Sequence, residues 1–284
     1  MIIARNAAEL PAREQGAHRA VVMTMGALHD GHLALVRRAR ELADQVVVTI
    51  FVNPLQFNEA ADLDRYPRTL DADCALLEPL GVDAVFAPSV DEMYPGGAPT
   101  VTVSAGAIGD VLEGAHRPGH FDGVLTVVLK LLHLTSPNVA LFGAKDAQQV
   151  IAVRAMVRDL AVPVEIEAVG TVRDPDGLAL SSRNVHLSAR ERGEALILSR
   201  ALLAAAEAAR NGGAAPDVLA TGRAVLAQRP PASAVRVDYL EAIDPLTAMA
   251  VAEDYRGEAV IAVAARVGAT RLIDNVTVTI GEEE

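Results

Sequence analysis

The first 170 or so residues of this chain keep a strict rhythm. Short apolar runs rich in Val and Ile alternate with stretches of helical period. Ala20–Met25, Val46–Val52, Ala84–Ala87, Val139–Phe142 and Val164–Val169 read as strands. Gly31–Ala43, Thr69–Leu80, Gly123–Leu134 and Ala147–Leu160 read as helices between them. Strands this apolar are buried on both faces, and a helix between successive strands makes a parallel crossover. The pattern therefore predicts an α/β fold, a Rossmann-like doubly wound parallel sheet. Ligands of such sheets bind beyond the carboxyl ends of the strands, where Met25, Asn53 and Gly143 fall.

The rhythm changes after Thr171. Ala189–Arg210 is a long Ala-rich helical stretch stopped by Asn211-Gly212-Gly213, and Asp217–Gln228 is another. Arg229-Pro230-Pro231 marks a loop, and then come three strand-like runs, Arg236–Ala242, Ala259–Arg266 and Leu272–Ile280. Helices followed by strands predict a second, smaller α+β domain at 172–284, after a first domain at 1–171. The acidic tail Glu282–Glu284 reads as solvated.

Composition narrows the function. About half of the 284 residues are hydrophobic but only 3% are aromatic, with no Trp, so the core is built from Ala, Val, Leu and Ile. A net charge of −12 argues against a broad nucleic-acid surface and leaves room for a local basic pocket. Cys74 is the one cysteine, which excludes an intrachain disulfide and a multi-cysteine metal site. No secretory leader pattern opens the chain and no apolar stretch has membrane-spanning length, so a cytoplasmic protein without membrane partners is expected.

Against this background "TMGALHDGH", Thr24 to His32, stands out where a strand hands over to a helix. A helix N-terminus presents unpaired N–H groups and a positive dipole end. Glycines such as Gly26 let a ligand approach the backbone. His29 and His32, at i and i+3, can face one way and donate to phosphate oxygens. Two histidines alone favour the plainer reading, a glycine-rich turn bearing two surface histidines. Metal binding is a third reading, for which no third ligand is near in sequence.

Four other stretches carry polar chemistry. "FVNPLQF" sets Asn53 and Gln56 after a buried strand, where neutral amides can orient a polar substrate or simply shape a turn at Pro54. "GAHRPGHFDGV" is a glycine-rich loop with His116, Arg117 and His120. "FGAKDAQQ" puts Lys145, one of only two lysines, at a helix start, against the dipole unless an anion binds nearby. "LALSSRNVHLS" joins Ser181 and Ser182 to Arg183, a set suited to phosphate contact, while serine capping is the plain alternative.

Taken in order, "MGALHDGH", "FVNPLQF", "RYPRT", "HRPGHFDGV", "KDAQQ", "SSRN" and "RLIDN" resemble the pantoate–β-alanine ligase family, over about Val21 to Asn275. The chain departs from that pattern at Met23, where the family usually has Pro, and at Leu180, where it usually has Met. Ala144 and Ala147 replace a usual acid and aromatic beside the lysine.

The resemblance implies an enzyme, a ligase that forms an amide bond. ATP would activate (R)-pantoate as a pantoyl adenylate, and β-alanine would then displace AMP. Under it the first domain binds nucleotide and pantoate, and the second covers the active site. Met25, Gly26, His29 and His32 line the ATP site, with His32 as the catalytic acid and His29 on phosphate oxygens. Gly143, Lys145 and Asp146 close on the nucleotide from one stretch, and Leu180, Ser181, Ser182 and Arg183 from another. Val172 meets the adenine by its backbone. Gln56 and Gln149 hold pantoate, Gln56 also meets β-alanine, and Asn53 and Arg117 complete the substrate set. Mg²⁺ accompanies ATP with Asp73 as a protein contact, and the chain forms a homodimer. "NEAADLDRYPRT", Asn58–Thr69, is a candidate cover over the reactive intermediate. No residue offers itself as the base for the attacking amine. Two other classes stay open: a different nucleotidyltransferase with the same H-x-x-H, and a non-catalytic nucleotide-binding protein on this scaffold.

Overall fold

The computed structural model describes residues 1–281; the acidic tail at 282–284 lies outside the described residues. The chain divides into two compact units, one of Met1–Gly143 with Ala152–Gly170, the other of Ala144–Ile151 with residues from Thr171 onward.

The first unit holds six parallel strands, β1 (Ile2–Ala4), β2 (Arg19–Thr24), β3 (Gln45–Ile50), β4 (Ala84–Phe86), β5 (Val139–Gly143) and β6 (Glu165–Val169), in the order β1-β4-β3-β2-β5-β6. β2 is central, with Val21 beside Val47 of β3 and Ala140 of β5. Helices fill the crossovers: α1 (Asp30–Leu42), α2 (Ala60–Arg65), α3 (Leu70–Leu77), α4 (Val90–Met93), α5 (Leu112–His116), α6 (His120–Thr135) and α7 (Ala147–Asp159). Leu33, Val36 and Ala39 of α1 pack with Val22, Val48, Leu77 and Leu141 in one apolar cluster. This is the Rossmann-like parallel sheet that the rhythm predicts.

β1, α4 and α5 are elements that the sequence reading does not include, and at three further places the departure has a local reason. The helix expected over Thr69–Leu80 ends at Leu77 and tightens into a 3-10 turn at Glu78–Leu80, because Pro79 has no N–H to continue it. α6 starts at His120, not Gly123, behind Gly119 in the left-handed region at φ 77°. Gly123 is needed inside that helix, since a Cβ there would stand 2.4 Å from the carbonyl oxygen of Leu55. The polar stretch 58–69 contains the short exposed helix α2.

The second unit has an antiparallel sheet, β7 (Val235–Ile243), β8 (Gly257–Val267) and β9 (Thr270–Ile280), in the order β7-β8-β9. α8 (Ala189–Arg210) and α9 (Ala215–Ala227) pack on it through Leu198, Leu202, Val218 and Leu226 against Leu240, Ile261 and Val263. The sequence reading gives α8 its observed ends. Ser188 caps it in a reciprocal box with Glu191. No helix among the described residues is long and apolar enough to cross a membrane.

Candidate active site

β2 ends at Thr24, and its hydroxyl starts the H-x-x-H loop by donating to Thr49 O (2.8 Å) while accepting from Gly26 N (3.2 Å). Gly26 and Ala27 both have positive φ, 86° and 51°. Successive left-handed residues turn their N–H groups to one side. The carboxylate of Asp73 collects them, accepting from Ala27 N (3.1 Å) and Leu28 N (2.8 Å), and from Thr69 Oγ1 (3.1 Å). Asp73 is only 2% exposed. A carboxylate committed in this way does not fit a magnesium contact. It anchors the loop, and the backbone strain at Ala27 is held by it.

The two histidines then form the start of α1. His29 is its N-cap and accepts from Gly31 N through Nδ1 (3.2 Å); His32 Nδ1 accepts from His29 N (3.3 Å). An imidazole nitrogen that accepts carries no proton, so each neutral ring has its hydrogen on Nε2. The rings lie 4.1 Å apart between centroids, tilted by 40°. Gly31 makes room for this, since a Cβ there would meet the His29 ring at 2.9 Å. The local sequence therefore fixes two Nε2–H donors at a helix N-terminus.

Asn53, Gln56, Met25 and Arg117 come together in the same unit. Asn53 is 1% exposed and donates to Gly123 O (3.0 Å) and Gln56 Oε1 (3.1 Å). Its own oxygen accepts from Tyr94 Oη (2.8 Å) and Leu55 N (3.3 Å). With all its hydrogen bonds made, Asn53 orients Gln56. Gln56 Nε2 points to Met25 Sδ at 3.3 Å. The Gln56 carbonyl accepts from Arg117 Nη2 (3.1 Å) and His120 Nδ1 (2.8 Å). His120 must donate there, so its Nε2 accepts from Arg117 Nη1 at 3.0 Å and the ring is neutral. Tyr94 is buried, which pushes its phenol pKa up and keeps it a donor.

In the second unit Lys145 sits in a 3-10 turn, Ala144–Asp146, that leads into α7. Gln148 behind it is buried and Gln149 is partly buried. Val172 to Leu180 form a small hairpin: Leu180 N donates to Val172 O (2.9 Å), Asp174 N to Leu178 O (2.8 Å), and Gly177 turns at φ 96°. Its "DPDG" tip carries a turn signature that the sequence reading passes over. Ser181 caps the following turn, Ser182–His186, by accepting from Arg183 N (3.2 Å). Lys145, Ser181 and Arg183 line one cleft with Asn184 and Arg271. Gly143 ends β5 beside Val169. Tyr94 and Arg173 are supports that the motif reading does not single out, and Asp274 and Asn275 fall within "RLIDN", to which it gives no role.

A parallel α/β sheet whose central strand leads into a helix capped by a histidine pair is a Rossmann-like fold with polar chemistry at the carboxyl end of that strand. A model of the pantoate–β-alanine ligase family matches residues 3–277, and the chain belongs to that family. It is therefore an amide-forming ligase. A pantothenate synthetase of Streptomyces avermitilis is 52% identical, covering 98% of this chain and 97% of the relative. That of Thermobifida fusca is 57% identical, covering 98% and 96%. The crystal structure of the pantothenate synthetase from Thermus thermophilus superposes with a TM-score of 0.88 at 48% identity, covering 97% of this chain and 99% of that one. The ligase from Francisella tularensis, solved with β-γ ATP and β-alanine, gives 0.75 at 33% identity and covers 97% of each chain.

Proposed function

We propose that this chain condenses (R)-pantoate with β-alanine to pantothenate at the expense of ATP, through a pantoyl adenylate. The observation that carries the reading is the histidine pair, whose Nδ1 atoms are tied to backbone N–H groups and whose protons sit on Nε2. The complex of the Francisella relative supports ATP and β-alanine as ligands.

In the first step a carboxylate oxygen of pantoate attacks the α-phosphorus of Mg-ATP, and pyrophosphate leaves with the electrons of the broken P–O bond. The carboxylate is already ionised at neutral pH. The protein has to align the groups and offset phosphate charge. His29 and His32 donate from Nε2 to phosphate oxygens, with Met25 and Gly26 beside them. Lys145, Ser181, Ser182 and Arg183 supply charge and donors to the phosphates. Gly143, Asp146, Val172 and Leu180 shape the nucleotide's surroundings. Gln56 and Gln149 hold pantoate, and Arg117 secures the Gln56 backbone. In the second step the β-alanine nitrogen attacks the acyl carbon, the amide bond forms and AMP leaves with the electrons of the C–O bond. The ammonium, with a pKa of about 10, first loses a proton. Magnesium enters with ATP as Mg-ATP. A cytoplasmic homodimer is the assembly and compartment in this reading.

Product analysis by mass spectrometry tests the reaction, omitting Mg-ATP, pantoate and β-alanine in turn. Pantothenate and AMP should appear only in the full mixture. Pantoate labelled with ¹⁸O in its carboxylate should leave one ¹⁸O in AMP. Unlabelled AMP alongside pantothenate would overturn the adenylate.

A further inference from the structure

Asp274 and Asn275 are consecutive on β9, and consecutive strand residues point to opposite faces. Both are buried. Asp274 takes the Arg173 guanidinium in a two-point bond, Oδ2 to Nη1 at 2.6 Å and Oδ1 to Nη2 at 2.9 Å. Arg173 belongs to the 172–180 hairpin, whose second arm runs directly into Ser181 and Arg183. Asn275 Nδ2 donates to the carbonyls of Ala144 (2.9 Å) and Lys145 (2.8 Å). The two residues are tied to each other, Asn275 N donating to Asp274 Oδ1 at 2.8 Å.

The chemistry is selective. Two carbonyl acceptors need two N–H donors from one atom, and an amide nitrogen supplies them where a carboxylate would repel. The β8–β9 ladder itself is made by backbone groups, and Asp274 Oδ1 takes in addition the N–H of Asn275. What the side chains do is hold the lysine turn on one side and the hairpin on the other.

We infer that Asp274 and Asn275 are a positioning pair that sets Lys145 against Ser181 and Arg183 in the cleft they line, and that Asn275 governs nucleotide affinity through Lys145. This rests on the reading of that cleft as a phosphate-binding group. A plain anchor would weaken the fold whether or not the lysine is present; a positioning residue acts only through it.

The test is a double-mutant cycle on the full chain. Calorimetric titration with Mg-ATP compares wild type, Asn275→Ala, Lys145→Ala and the double variant. Each single change should weaken binding about tenfold, the scale of one or two lost hydrogen bonds. The double variant should bind no more weakly than Lys145→Ala alone. Asn275→Ser keeps one donor, should fall between wild type and Asn275→Ala, and carries the cycle if Asn275→Ala does not fold. Additive losses, about hundredfold in the double variant by the same scale, would overturn the positioning role and leave the nucleotide reading standing. Wild type that binds no Mg-ATP, or Lys145→Ala that binds as well as wild type, would overturn the nucleotide reading and this inference with it.

Discussion

His29 does two things with one ring. Its Nδ1 caps α1, and the same bond leaves its proton on Nε2. These roles separate by substitution. Asn is among the best N-caps, its side-chain oxygen accepting as Nδ1 does, but it lacks the reach and geometry of Nε2–H. His29→Asn should keep the melting temperature of wild type and lose most pyrophosphate release. His29→Ala should lose about 1 kcal/mol of stability as well, seen by denaturant unfolding. An active His29→Asn enzyme would restrict the ring to capping. His32 sits in the third position of the same cap, and His32→Ala should cut adenylate formation by on the order of 10²-fold or more, as loss of a transition-state donor does. Near-normal turnover would end that role. At Asp73 the carboxylate serves three donors. An amide in its place offers one acceptor oxygen and turns N–H groups toward N–H groups. Asp73→Asn should cost about 3 kcal/mol in urea unfolding, with the Mg²⁺ concentration for half-maximal rate unchanged. A tenfold shift in that concentration at unchanged stability would make Asp73 a metal contact after all.

Elements join at a few such polar clasps, and one of them carries a pH dependence. Glu194 on α8 accepts from Arg190 Nε (2.7 Å), Ala234 N (2.6 Å) and Ser233 Oγ (2.9 Å), binding the helix to the entry of β7. The Arg190 guanidinium first, then these backbone and hydroxyl donors, lower its pKa from 4.5 to about 2. A depressed folded pKa stabilises above the unfolded value and is lost as pH falls through the folded one. The stability advantage of wild type over Glu194→Gln should therefore be full at neutral pH and decline from about 4.5 toward 2. Urea midpoints across that window measure it. An advantage that stays constant down to pH 3.5, about a unit below the unfolded value, would remove Glu194 from the account.

At the scale of the whole molecule, what the sequence reveals follows from how local each cause is. β2, β3 and β5 are legible because two covered faces force an unbroken apolar run, and α8 because its Ser188 cap and Gly stop are written into adjacent residues. β1 is not legible: three residues with Ile2 and Ile3 exposed carry no period. Site chemistry divides the same way. His29, His32 and Lys145 announce themselves by type and place, at helix starts. Their supports do not, because the partners are remote: Tyr94 meets Asn53 across 41 residues, and Asn275 meets Lys145 across 130. The same division bears on the reaction. In the proposed reaction adenylate formation uses a carboxylate that needs no proton transfer, so it does not depend on the amine. The enzyme should therefore exchange labelled pyrophosphate into ATP when pantoate is present and β-alanine absent, and not when pantoate is absent. His32→Ala and Lys145→Ala should each suppress that exchange, since both act on phosphate charge rather than on the amine. Exchange that requires β-alanine would mean a concerted reaction of all three substrates, with no pantoyl adenylate standing between the halves.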